Sequence, residues 1–250
     1  MTLLFTDTAD LQSIQTVIPN KMIKGFTTNP TLMRQAGITD YGMFANQCIE
    51  LLAKSRPDTS LSLEVFADDE KSIIEQAVEI DKWGKRNKYC VYVKIPVSYT
   101  DGTPTYSLIE KLVNDYQIKV NVTAVFTQQQ VFKVLSRLNT EVPAIVSIFC
   151  GRIADIGVDP EPICKFAAQQ RNMFVPGTRW KILWASSREP FNLIQARRSM
   201  CDIITMTPQL ISKVEQFGKS LDQFSVETVN MFYNDAKASQ YTIQPTEHAE

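Results

Sequence analysis

The stretch CVYVKIPV, residues 90–97, decides how this chain is read. It is short, apolar, β-branched and aromatic, which predicts a buried strand. Lys94 nevertheless lies inside it. Alternate side chains of a strand face opposite sides. Val91, Val93 and Ile95 therefore share one face, and Tyr92 and Lys94 share the other.

Two neighbouring stretches carry the same mixed pattern. In IKVNVTAVF (118–126), Lys119, Asn121 and Thr123 alternate with Val120, Val122 and Ala124. In LSLEV (61–65), Ser62 and Glu64 share a face between Leu61, Leu63 and Val65. Five further apolar runs read as strands: LLFT (3–6), MIKGF (22–26), AIVSIF (144–149), KILWAS (181–186) and CDIIT (201–205). Segments of helical spacing lie between them. In 69–86, Ile73, Ile74, Ala77, Ile80 and Trp83 fall on one helical face. The stretches 127–138 and 159–170 follow the same period, and Pro160 is expected in the first turn of the latter.

Eight β/α units imply a parallel sheet, and in about 250 residues they point to an α/β TIM (β/α)8 barrel. A doubly wound open sheet is the rival, but no GxGxxG or GxxxxGK[ST] phosphate loop occurs. A last helical segment, 225–239, exceeds the eight units and is expected as an additional C-terminal helix, packed across the barrel or onto a neighbouring subunit. Residues 1–240 are read as one domain, and 241–250 as a flexible tail.

In a parallel barrel both faces of each strand are covered and should be apolar. Polar residues repeated on one face of three neighbouring strands therefore point into the barrel, near the C-terminal strand ends where such barrels carry their chemistry. Glu64 and Lys94 could form a structural ion pair, and Asn121 and Thr123 a structural hydrogen-bond pair. A buried ion pair seldom gains net stability, however, whereas a desolvated lysine amine attacks carbonyls to form a Schiff base. Other polar residues fall at the same level. Asp7 ends the first strand, and Thr27, Thr28 and Asn29 follow the second. Ser147 and Arg152 end the sixth, and Ser186 and Arg188 follow the seventh, where they open the next helix as an anion site.

Composition narrows the chemistry further. The 250 residues are 44% hydrophobic and 21% charged, with net charge −1. No basic field is present to attract nucleic acid or an anionic membrane. Five cysteines without a CxxC pair read as free thiols of a cytoplasmic protein. The N-terminal stretch lacks the basic region of a signal peptide, and no apolar run reaches membrane-spanning length. The single histidine, His248, lies in the polar tail, so a histidine triad and a histidine metal site are both excluded.

TDTAD, GFTTNPT, LEV, YVKIP, VNVTAVF, SIFCGRIAD and WASSRE, in this order, resemble the transaldolase family, which includes the fructose-6-phosphate aldolases. The resemblance runs to about Tyr233. It implies a TIM barrel that works through a lysine Schiff base with no metal or cofactor, in the carbohydrate metabolism of the pentose phosphate pathway. It makes Lys94 the Schiff-base lysine and Asp7 the acid/base for cleavage of the C3–C4 bond. Glu64 and Thr123 hold a proton-shuttling water. Thr27, Asn29, Asn121 and Ser147 belong to the substrate site, the last three binding the dihydroxyacetone part. Arg152, Ser186 and Arg188 take the substrate phosphate. Phe149 and Glu64 stand where aldolases of the family have tyrosine and glutamine, which favours transfer of dihydroxyacetone over its release. The departures are an intermediate chain length and the polar loop 97–107 beside the lysine strand. Sugar phosphates are the implied partners, and a homo-oligomer (dimer, pentamer or decamer) is implied as well.

Overall fold

Short polar side chains decide where the helices begin. Asp10, Asp40 and Asp69 each stand in extended backbone and accept hydrogen bonds from amides of the following turn. Asn29 does the same for Leu32, with Pro30 in the first turn, where a missing N–H leaves nothing unpaired. Thr127 and Gln130 cap each other reciprocally.

The computed structural model describes residues 1–174 and 179–243. Its strands are β1 (Leu3–Asp7), β2 (Ile23–Thr27), β3 (Ser60–Glu64), β4 (Cys90–Pro96), β5 (Val120–Val125), β6 (Ala144–Ile148), β7 (Trp180–Trp184) and β8 (Ile203–Met206). Helix α1 (Leu11–Val17) follows β1, and α2 (Pro30–Gln35) and α3 (Tyr41–Ser55) follow β2. Next come α4 (Glu70–Arg86) after β3, α5 (Tyr106–Asn114) after β4 and α6 (Gln128–Leu135) after β5. After β6 come α7 (Cys150–Asp155) and α8 (Glu161–Phe174), then α9 (Asn192–Arg198) after β7 and α10 (Pro208–Val214) after β8. The last helix is α11 (Leu221–Ala238).

The eight strands pair in sequence order and β1 closes on β8, all in parallel, so the expected TIM barrel is present. Strand bounds differ from the sequence reading by one or two residues, as ladder ends do. Pro160 does not fall inside the first turn of α8. Its carbonyl accepts from the amides of Ile163 and Cys164, so it stands just before the helix. The extra C-terminal helix starts at Leu221 rather than near 225 because Ser220 caps it. The chain divides into two compact units, Met1–Ser212, which holds the barrel, and Lys213–Glu250, which holds α11. Residues 244–250, and His248 with them, lie outside the described residues.

The two faces of β4 behave as the alternation requires. Val91, Val93 and Ile95 are buried, and a methyl group on Gly84 of α4 would stand 2.8 Å from a Val91 side-chain carbon. Ile73, Ala77, Ile80 and Gly84 form the buried stripe of α4, with Ile74 and Trp83 half-buried at its edges. Inside the barrel, Phe5, Ile145, Leu183, Ala185 and Ile203 form an apolar layer joined by Leu3, Tyr92 and Phe149. Gly25 is required there, since a Cβ on it would fall 2.4 Å from the Phe5 ring.

One buried cation escaped the sequence reading. Arg56 is 2% exposed and donates to the carbonyls of Ile18 (3.1 Å), Asn20 (3.2 Å) and Ile23 (2.6 Å), and to Asp58 (3.1 Å). It satisfies backbone groups of the turn leading into β2, which burial would otherwise leave unpaired.

Candidate active site

Register places the polar residues side by side. Glu64 of β3 lies opposite Lys94 of β4, Lys94 lies opposite Asn121 of β5, and Pro96 lies opposite Thr123. Lys94 Nζ donates to Glu64 Oε2 at 2.9 Å and to the Thr28 carbonyl at 2.5 Å. Thr123 Oγ1 donates to the other Glu64 oxygen at 2.9 Å. The two side chains of the ion pair are 8% and 13% exposed. Glu64 thus divides one carboxylate between an amine and a hydroxyl, in a site largely cut off from water. That geometry lets the carboxylate accept the proton an amine must lose before it attacks a carbonyl.

A second carboxylate stands across the barrel mouth. Asp7 ends β1, half-buried, and accepts from Thr27 Oγ1 at 2.7 Å and Asn29 Nδ2 at 3.3 Å. Burial pushes its carboxyl above the ordinary carboxylate value. The positive Lys94 and the hydrogen bonds from Thr27 and Asn29 pull the other way, and the negative Glu64 adds to the rise. The raised carboxyl suits Asp7 to hold or take a proton during a reaction.

Level with Lys94, Asn121 Oδ1 accepts from Ser147 Oγ at 2.7 Å, and Asn121 Nδ2 donates to Ser62 Oγ at 3.2 Å. All three are buried. Asn121 keeps one amide hydrogen for another partner. Phe149 lies half-buried, its ring centroid 5.9 Å from that of Phe126.

The expected anion residues stand at the same rim, with two changes of setting. Arg152 is not at the strand end but in the last turn of α7, where it is exposed. Ser186 and Arg188 do not open a helix. They lie in the loop before α9, which starts at Asn192, and Ser186 adopts a φ of 63°. The turn is tight because β7 and α7 meet closely: a Cβ on Gly151 would stand 1.6 Å from the Ser186 carbonyl oxygen. Arg188 is already engaged, donating to both Asp155 carboxylate oxygens at 3.0 and 2.6 Å. Arg188, first by hydrogen bonding, holds the Asp155 carboxyl below its ordinary value, and Arg152 adds to the effect.

Three contributors were not found from sequence, and for Thr28, which was, its setting was not. Thr205 of β8 shares a 2.6 Å hydroxyl contact with Thr27. It lies two residues beyond the inward Ile203, so strand alternation could have found it. Tyr41 donates to the Glu64 carbonyl at 2.8 Å from the start of α3, and no sequence period signals that contact. Asp155 is legible only once Arg188 is placed in space. The Thr28 hydroxyl, beside Lys94, is buried with no partner among the described residues.

A family model described as Transaldolase/Fructose-6-phosphate aldolase matches residues 4–248. The chain is 30% identical over 213 residues to a protein of Dehalococcoides mccartyi named "Probable transaldolase", covering 85% of this chain and 90% of that one. A protein of the same name from Caldicellulosiruptor saccharolyticus is 29% identical over 211 residues, covering 84% and 88%. One from Nitrosopumilus maritimus is 28% identical over 215 residues, covering 85% and 87%. Among the described residues, no helix is long and apolar enough to cross a membrane.

Proposed function

The chain belongs to the transaldolase/fructose-6-phosphate aldolase family, and on that premise we propose that it is a transaldolase. It moves a dihydroxyacetone unit from a ketose phosphate, fructose 6-phosphate or sedoheptulose 7-phosphate, to an aldose phosphate through a Schiff base on Lys94. The observation that carries this reading is the contact of Lys94 with Glu64, itself bound by Thr123.

In this mechanism Glu64 takes the proton of Lys94, and the free amine attacks the C2 ketone. The resulting carbinolamine loses water as Glu64 and Thr123 return a proton through a bound water. The iminium then draws in the electrons of the C3–C4 bond while Asp7 removes the C4 hydroxyl proton. An enamine is left on Lys94, and it adds to the acceptor aldehyde by the reverse steps. Asn29 Oδ1 is committed to the Leu32 amide and one amide hydrogen to Asp7, so its other amide hydrogen serves the substrate. Asn121, Ser147 and the unpartnered Thr28 hydroxyl take the hydroxyls of the dihydroxyacetone part. Arg152, Ser186 and Arg188 take the phosphate, with Thr27 orienting Asp7 and Phe149 walling the cavity. No metal or cofactor is required, so a chelator leaves turnover unchanged. The free cysteines fit a cytoplasmic location, and the apolar residues of α11, Leu221, Phe224, Val229 and Phe232 among them, favour a homo-oligomer.

Borohydride added with fructose 6-phosphate is expected to fix a stable adduct on Lys94, located by peptide mass. No adduct on folded protein, or an adduct elsewhere, overturns the mechanism. Production of glyceraldehyde 3-phosphate is expected to require erythrose 4-phosphate. Equal production without an acceptor, with free dihydroxyacetone released, identifies the aldolase instead.

A further inference from the structure

The opposite end of the barrel holds a second cavity, of about 290 Å³, with Leu3, Lys24, Asp58, Cys90, Tyr92 and Lys181 among its walls. Phe5 and Ile145 contribute to its apolar wall. Lys119 of the β5 approach adds to it, since its Nζ lies 3.8 Å from Cys90 Sγ. Alternation from Lys94 and Thr123 puts Cys90 and Lys119 on inward faces, at the level where strands enter the barrel.

Lys119 and Lys181, both on inward faces, thus bring two ammonium groups to one apolar-walled hollow, with Lys24 at its edge. Among the described residues none of Lys24, Lys119 and Lys181 has a carboxylate within ion-pair distance. Asp58, the acid on the wall, is held by the buried Arg56 and also feels the charge of Lys24, so Lys119 and Lys181 are the uncompensated pair. A mouth that only excluded water would be filled by leucine or isoleucine. Like charges brought together repel, and they persist best where a counter-ion joins them.

We infer that this N-terminal mouth is a second ligand site, which takes a small phosphate monoester with an apolar group. The dianion sits between Lys119 and Lys181 and the apolar group rests on Leu3, Phe5 and Ile145. Separated ammonium groups act as point charges rather than as a planar fork, which suits a compact dianion. A few polar groups around a concave apolar wall is the usual makeup of a small-molecule site. Burial holds the Tyr92 phenol well above its usual value, so it meets the ligand as a neutral hydroxyl. This inference does not depend on the reaction at the other end of the barrel.

Cys90 supplies a readout local to the site. It is partly exposed, while Cys48, Cys150, Cys164 and Cys201 are buried. Alkylation of Cys90 by N-ethylmaleimide, followed by peptide mass, is therefore measured with phenyl phosphate as the probe. Phenyl phosphate is expected to slow alkylation saturably, about tenfold at ten times its dissociation constant. The Lys119→Gln/Lys181→Gln double variant, or Lys181→Gln alone if that protein does not fold, is expected to lose most of this protection. Arg188→Ala, at the far rim, is expected to keep it, and inorganic phosphate is expected to protect more weakly. No protection of the wild type overturns the site. Protection that survives the lysine changes, or that vanishes in Arg188→Ala, places the anion elsewhere and also overturns it. Equal protection by inorganic phosphate refutes the role of the apolar wall.

Discussion

Removing one member of the Lys94–Glu64 pair should cost far more than removing both. The Glu64→Leu change leaves a buried ammonium with only the Thr28 carbonyl, and it leaves Thr123 without its 2.9 Å acceptor. Breaking a buried pair by deleting one partner costs about 3–5 kcal/mol, and a lost neutral hydrogen bond adds about 1 kcal/mol. The side chains are 8% and 13% exposed, so some water reaches them. That brings the pair cost just below this range, to about 2 kcal/mol, and the total for Glu64→Leu to about 3 kcal/mol. Lys94→Met strands a carboxylate that keeps its Thr123 donor and is the more exposed partner, so its cost should be about 2 kcal/mol. The double variant replaces the pair by two apolar side chains of similar volume and should fall within about 1 kcal/mol of wild type. The coupling energy is then about 4 kcal/mol, well outside measurement error. Equilibrium urea unfolding at pH near 7, at one fixed protein concentration, measures all four corners of the cycle. If the double variant loses the sum of the two single losses, the pair is not a coupled buried unit and the reasoning fails.

Three further outcomes follow from the geometry. Because burial raises the Asp7 carboxyl, the folded state holds that proton more tightly than the unfolded chain, so this contribution to stability is present below about pH 3.9 and lost as pH rises through the folded value. Asp7→Asn should therefore unfold at higher urea than wild type near neutral pH but not in acid, and the acid limb of wild-type kcat should lie above the ordinary carboxylate value; the opposite order of midpoints would refute this. The Arg188–Asp155 pair is about half exposed, at 48% and 50%, so it is a weak surface pair. Asp155→Asn should lower KM for a phosphorylated ketose by up to about fivefold with kcat unchanged, and a raised KM would show that Asp155 supports the anion site rather than competing with it. Arg56→Met strips three carbonyls of their donor and should cost about 3–5 kcal/mol by thermal or urea unfolding; a loss under about 1 kcal/mol would mean that water replaces the guanidinium.

The barrel was legible because its signal is periodic. The alternation in 90–97 and 118–126 separates an inner from an outer face whatever the rest of the chain does, and the register keeps Glu64, Lys94 and Asn121 level. What escaped notice depends on folding back across the chain. Arg56 reaches the turn before β2, Tyr41 reaches the backbone of Glu64, and Asp155 reaches across to Arg188. None of these leaves a local period, because each is fixed by the meeting of two elements. Arg152, Ser186 and Arg188 were expected as anion residues, and their local structure was misassigned. Only the close approach of Gly151 to the Ser186 carbonyl forces the loop that precedes α9.

The two hydrogen bonds from Lys94 also set a limit on what the site can look like during turnover. An ammonium has three hydrogens and can hold the Thr28 carbonyl and Glu64 at once, as it does here. An iminium nitrogen carries one. Covalent capture of a ketose on this lysine would therefore leave one of the two acceptors without its donor, in surroundings where an unpaired polar group is costly. Water, a substrate hydroxyl or a shift of the turn between β2 and α2 must fill that place. The Thr28 carbonyl is thus a built-in reporter of the covalent state, and its infrared band should move when the amine becomes an imine.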